Sequence, residues 1–134
     1  MNAFDTNVFV YACDHSDRRR QAIALDLLES TTDGLLLWQV ACEFIAASRK
    51  LGVHGFTEQE AWENLADWMV SFHLVIPSEG LLDHARVLHL EQHWAFWDAM
   101  IVSACLDAGV TRLYSEDLPG RSAPEGLDIV NPFS

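Results

Sequence analysis

At 134 residues, half of them apolar, the chain is long enough to build one domain around a proper core and too short to build two. Its 21% charged content is ordinary for a globular protein, but its formal net charge of -12 is not. That balance excludes nucleic-acid binding by diffuse positive charge, so any such role has to be local or has to use metal to offset the acid.

In chain order, a short apolar strand, AFD at 3–5, leads into a helical pattern from Thr6 to Cys13. DRRRQAIALDLLES repeats apolar residues at Ile23, Leu25, Leu27 and Leu28, a helix with Asp17 as its N-cap. GLLLW at 34–38 follows the turn sequence TTDG and reads as a short buried strand. QVACEFIAASRKL is helical and stops at Gly52. TEQEAWENLADWMVSF opens with Thr57 and Glu60 in capping-box spacing and reads as a helix. HLVIP is strand-like up to Pro77, Ser78 caps a helix running to about His93, and FWDAMIVSACLDAG is a further helix ending at Gly109. TRLYS and LDIVNP close the chain as short strands around PGRSAPEG at 119–126, the only loop-like stretch of any length. Strands separated by helices, with no hairpin dipeptide between them, indicate α/β with a five-stranded parallel sheet. Right-handed crossovers favour the order 3-2-1-4-5.

Cys13, Cys42 and Cys105 are widely spaced, with no CxxC and an odd count, so a disulfide framework is not expected and a reducing cytosol fits best. No apolar h-region follows a charged start and no run reaches transmembrane length, so neither export nor membrane spanning is indicated.

The acids carry the functional signal. In open α/β sheets, ligands bind at the carboxyl ends of the strands. Asp5 ends the first strand, Glu43 lies about one turn into the helix leaving the second, Asp98 opens the helix before the fourth, and Asp117 follows the fourth strand's exit. Four carboxylates distant in sequence therefore converge on one rim. Such a cluster needs counter-charge, and an all-oxygen set suits Mg²⁺ or Mn²⁺ rather than zinc. Thr6, Asn7 and Ser115 supply neutral oxygens that complete a shell or orient the carboxylates. One or two hard divalent ions there would support hydrolysis at phosphate without a side-chain nucleophile. Simpler roles compete at each position: Asp5 and Asp98 sit where helix N-caps are expected, Glu43 on a solvated face, and Asp117 in the turn sequence SEDLPG.

FDTNVFVYA, ACEFIAA, FWDAMIVSA and LYSEDL together resemble the four acidic motifs of PIN-domain ribonucleases, specifically the VapC-type toxins of bacterial toxin–antitoxin modules. The resemblance spans nearly the whole chain in motif order and spacing. It implies a three-layer sandwich with helices on both faces of the sheet, Mg²⁺- or Mn²⁺-dependent endoribonuclease activity, a homodimer and an antitoxin partner. Asp5, Glu43, Asp98 and Asp117 match the family's acidic quartet, and Ser115 falls where the family often has Thr or Ser. Glu116 beside Asp117 is a departure: spacing leaves open which of the two faces the metal, although a Ser-x-Asp alignment favours Asp117. An acidic cleft on an acidic chain should attract an inhibitor that inserts an Arg in place of metal.

Other features read more plainly. His84, His89 and His93 do not form HExxH and suit a solvated helix face. Arg18, Arg19 and Arg20 are the only basic run, a solvated helix start or an RNA-phosphate contact. Trp94, Phe96 and Trp97 suit core or dimer packing more than base stacking. Two enzyme classes share the sheet but not the residues. A haloacid-dehalogenase-type phosphatase needs a second acid where Asn7 stands, and a receiver domain needs a Lys after its last strand, whereas Lys50 is the only Lys. A non-enzymatic domain holding a structural cation is the remaining alternative.

Overall fold

A computed structural model describes residues 1–118, 123–124 and 126–134, so the loop expected at 119–126 lies largely outside the described residues. Strands β1 (Asn2–Phe4), β2 (Gly34–Leu37), β3 (His73–Val75), β4 (Arg112–Tyr114) and β5 (Asp128–Val130) form one sheet in the order β3-β2-β1-β4-β5. Every pairing is parallel, with Ala3 opposite Leu35 on one side and Leu113 on the other. The sheet order and α/β architecture are those expected from the pattern of strands and helices.

Six α-helices are described among these residues: α1 (Thr6–Ala12), α2 (Arg18–Ser30), α3 (Trp38–Ala47), α4 (Glu58–Ser71), α5 (Leu81–Glu91) and α6 (Phe96–Asp107). Helix α1 packs on α2 and α3, α3 on α4, and α5 on α6, while α4 and α6 both reach β2. All four residues of β2 are buried, as a strand covered on both faces requires. The core is aromatic where α1 and α4 meet the sheet. Phe4 lies 5.7 Å from Phe9, 5.3 Å from Phe72 and 5.8 Å from Tyr114, and Trp68 sits 4.7 Å from Phe9 and 5.0 Å from Phe44, between ring centroids. Gly34 makes room for this packing, because a Cβ there would come within 2.6 Å of the buried Phe72 ring and 3.2 Å of Phe4.

Boundaries moved where capping chemistry overrode the apolar pattern. The expected caps Asp17 and Thr57 are present, Asp17 accepting from the Arg20 N–H and Thr57 closing its box with Glu60. Ser78 does not cap α5. The helix begins three residues later, behind Gly80, with the Ser78 carbonyl accepting from the Leu81 N–H in a preceding turn. Trp38 belongs to α3 rather than β2, because a continuous apolar run carries no period to separate strand from helix. Helix α3 ends at Ala47 and tightens into a 3-10 segment, Ser48–His54, and the left-handed stop is Gly55 (φ 87°) rather than Gly52. Among the described residues no helix is long and apolar enough to cross a membrane.

Candidate functional site

The strand order reverses around β1, so the crevice for a ligand lies at the carboxyl ends of β1 and β4. Asp5 is the first residue past β1 and its backbone N–H still donates to the Tyr114 carbonyl at 2.8 Å, which holds it against the end of β4. Its side chain is 8% exposed. One carboxylate oxygen caps α1, accepting from the Thr6 N–H at 2.7 Å, and the other accepts from Ser115 Oγ at 2.7 Å. Capping and clustering therefore coexist at Asp5.

The next two residues reach the other acids. Thr6 Oγ1 donates to Glu43 Oε2 at 2.9 Å, and Asn7 Nδ2 donates to Asp117 Oδ2 at 3.2 Å. The three consecutive side chains at 5–7 thus engage the end of β4, the second turn of α3 and the turn after β4. This works because the tight passage from β1 into α1 points successive residues to different neighbours. Ser115 Oγ also accepts from the Asp117 and Leu118 N–H groups, at 3.3 and 3.2 Å, so one buried hydroxyl ties Asp5 to the backbone that carries Asp117. Asp98 is half-buried and engaged in the first turn of α6. Gln39 links that end of α6 to the cluster, with its Nε2 donating to Glu43 Oε1 at 2.5 Å and to the Trp97 carbonyl at 3.3 Å.

Burial pushes the Asp5 carboxyl above its ordinary value, and the Glu43 and Asp117 charges add to that, against the lowering effect of the Ser115 and Thr6 hydrogen bonds. The neighbouring Glu116 turns the other way. Tyr11 Oη donates to Glu116 Oε1 at 2.6 Å and Arg20 Nε to its Oε2 at 2.8 Å. The Arg20 guanidinium also pairs with Asp17 at 3.0 Å and lies 5.4 Å from the Tyr11 ring centroid. Burial alone would raise the Glu116 carboxyl, but the Tyr11 and Arg20 hydrogen bonds and the Arg20 charge outweigh it and leave it below its ordinary value. The Tyr11 hydroxyl is pushed up to about 12, first by burial and then by the Glu116 carboxylate it serves. Of the two adjacent acids, then, Glu116 faces Arg20 and Tyr11, and Asp117 faces Asn7.

A cleft of about 360 Å³ opens on this edge, lined by Thr6, Asn7, Tyr11, Lys50, Glu116 and Asp117 among others. Among the described residues no group of three or more His, Cys, Asp or Glu side chains is placed so that together they could hold a metal ion. The donors nevertheless fit a hard cation. Mg²⁺ takes one or two carboxylates and keeps several waters, so it needs no closed cage, and Asn7 Oδ1 is a buried amide oxygen without a hydrogen-bond partner.

Most of the other expected positions have partners of their own. Arg19 donates to the Phe133 carbonyl and Arg20 is held by Glu116, so only Arg18 of the basic run is exposed without a partner among the described residues. His84 pairs with Asp107 at 2.5 Å, His89 Nδ1 meets the Trp94 carbonyl at 2.7 Å, and His93 lies past α5 in the left-handed region (φ 59°). Trp94 is core, whereas Phe96 and Trp97 are largely exposed. Sequence reasoning missed Tyr11, Gln39 and Lys50. Tyr11 follows Asn7 by four residues and Gln39 precedes Glu43 by four, so helical spacing could have found both, and Lys50 lies two turns beyond Glu43.

The PIN domain family profile matches residues 3–118 of the chain. A solved structure described as a toxin-antitoxin complex from Klebsiella pneumoniae is similar at a TM-score of 0.71 and 20% identity, covering 98% of each chain, a likeness of fold. No curated protein matches the chain.

Proposed function

The chain belongs to the PIN domain family, and from that premise we propose that it is a Mg²⁺- or Mn²⁺-dependent endoribonuclease, the VapC-type toxin of a toxin–antitoxin pair. The observation that carries the reading is the Asp5–Thr6–Asn7 stretch, whose side chains gather Ser115, Glu43 and Asp117 at the strand edge where this fold class binds ligands. Asp5, Glu43, Asp98 and Asp117 are the residues that would hold one or two ions, with Asn7 Oδ1 as a further oxygen donor. When bound, such a cation supplies a water of lowered pKa and positive charge at the scissile phosphate.

The protein's own groups then act by position. Ser115 holds Asp5, Thr6 and Gln39 hold the two oxygens of Glu43, and Asn7 holds Asp117, so three of the four carboxylates are turned before substrate arrives. Glu116 supports the site through Arg20 and Tyr11, and Arg18 is the member of the basic run available to an RNA phosphate. The similar solved structure is described as a toxin-antitoxin complex, which supports an antitoxin partner here. An acidic cleft selects an inhibitor that inserts an Arg-bearing segment in place of metal. A homodimer and a cytoplasmic location complete the reading.

The test is metal-stripped protein incubated with a panel of structured RNAs, with and without Mn²⁺, beside Asp5→Asn. Cleavage that requires the metal and disappears in the variant is the expected result. Metal-independent cleavage, or full activity in Asp5→Asn, would refute the reading. For the inhibitor, an Arg→Ala scan of the antitoxin segment should release the activity, and inhibition surviving the whole scan would count against Arg insertion.

A further inference from the structure

The cleft beside Asp117 contains one cation with nothing to neutralise. Lys50 lies on the 3-10 segment after α3, seven residues beyond Glu43, and lines the cleft with Thr6, Asn7, Glu116 and Asp117. It makes no hydrogen bond or ion pair within the described residues, although two acids line the same space. The reason lies in their other partners, since Glu116 is held by Arg20 at 2.8 Å and Asp117 accepts from Asn7. Three other basic side chains are committed elsewhere, Arg49 lying 3.7 Å from Glu58, Arg112 3.2 Å from Asp128 and Arg19 donating to the Phe133 carbonyl, while the exposed Arg18 and Arg86 do not line the cleft. In a chain of net charge -12, an uncommitted ammonium at the mouth of an acidic cleft is a specific placement rather than part of a basic surface.

We propose that Lys50 is a substrate-binding residue whose ammonium holds a non-bridging phosphate oxygen of the nucleic-acid backbone entering the Asp5–Glu43–Asp117 edge. The inference rests on the nuclease reading and deepens it. A lysine suits the task because its three donors rotate on a flexible stem, so it can follow a phosphate whose path the rigid carboxylate cluster does not fix. Lys50 locally offsets the repulsion that the acidic cleft imposes on a polyanion, while the carboxylates remain available to a metal ion.

The test compares the full-length parent with Lys50→Ala, Lys50→Arg and Lys50→Glu in Mn²⁺, using a labelled RNA that the parent cleaves. Lys50→Ala should raise KM on the order of fivefold to tenfold with kcat little changed, and should flatten the dependence of log(kcat/KM) on log[salt] by about 0.7 between about 50 and 200 mM. Lys50→Arg should restore most of the loss, and Lys50→Glu should exceed it. The rise in melting temperature on adding Mn²⁺ should match the parent in the alanine variant, as the carboxylates are untouched. An unchanged KM and salt slope in Lys50→Ala would overturn the proposal while leaving the nuclease reading standing. So would an unchanged KM with a larger Mn²⁺ shift, which would make Lys50 a counter-charge for the carboxylates. A parent that cleaves no RNA in the panel removes the nuclease reading itself, and this contact with it.

Discussion

Replacing Asp5 by Asn separates the cost of the charge from the value of the cap. Asn is as good an N-cap as Asp, so the bond from the Thr6 N–H survives the change. The Ser115 hydroxyl then meets an amide instead of a carboxylate, which exchanges a charge-assisted hydrogen bond for a neutral one at a loss of about 1 kcal/mol. Against that stand the burial of an ionised group and its repulsion by Glu43 and Asp117, which together outweigh the two hydrogen bonds, since the Asp5 carboxyl is raised overall. The variant should therefore melt at or above the parent in chelator at neutral pH. For 134 residues, about 1 kcal/mol corresponds to roughly 3.5 °C. At about one hundred times its dissociation constant, Mn²⁺ should raise the parent by about 2.7 kcal/mol, or about 10 °C, and Asp5→Asn by little. The pH dependence has a definite sign. A carboxyl whose folded value lies above its unfolded 3.8 contributes stability that is fully present below 3.8 and is lost as pH rises through the folded value. The parent should thus gain on the variant as pH falls from neutral. Thermal melts of both proteins, with chelator and with Mn²⁺, measure all of this. A variant that melts several degrees below the parent in chelator, or shows the parent's full Mn²⁺ shift, would refute the reasoning.

Tyr11→Phe keeps the ring near Arg20 and Phe133 but deletes the bond to Glu116, and partial exposure limits the cost to about 1 kcal/mol. A melting temperature within 1 °C of the parent, to the precision of about 0.3 kcal/mol, would show that this clamp holds nothing. Folded protein treated with a maleimide near neutral pH should label at the exposed Cys42 alone, because burial pushes the Cys13 and Cys105 thiols up to about 12, and mass spectrometry of the digest reads the sites directly. Leu113→Ala opens a cavity in the central sheet at a fully buried residue and should cost about 2–5 kcal/mol in denaturant melts. A loss under 1 kcal/mol there would mean that the neighbouring aromatics collapse into the space.

Sequence alone determined the architecture because its signals are local and repeated. Capping residues such as Asp17 and Thr57 and helices between apolar strands imply a parallel sheet, and the rule placing ligands at carboxyl ends names an edge before any coordinate is known. Asp5, Glu43 and Asp117 are tied at that edge through Ser115, Thr6 and Asn7. The side-chain choices within the site were not legible, because they depend on partners far away in sequence. Both Glu116 and Asp117 line the cleft, and no periodicity in a turn reveals that Arg20, ninety-six residues away, and Tyr11 take Glu116 while Asn7 meets Asp117. Ser115 is legible as a supporting oxygen beside the acids, but that its hydroxyl sits between Asp5 and two backbone N–H groups is decided by the fold. Lys50 carries no motif and becomes visible only once the 3-10 turn brings it to the cleft. Hydrophobic period and capping act over a few residues and are written in the chain, whereas the pairing of buried charges is a competition among all the groups that the fold brings within reach, and only the tertiary structure resolves it.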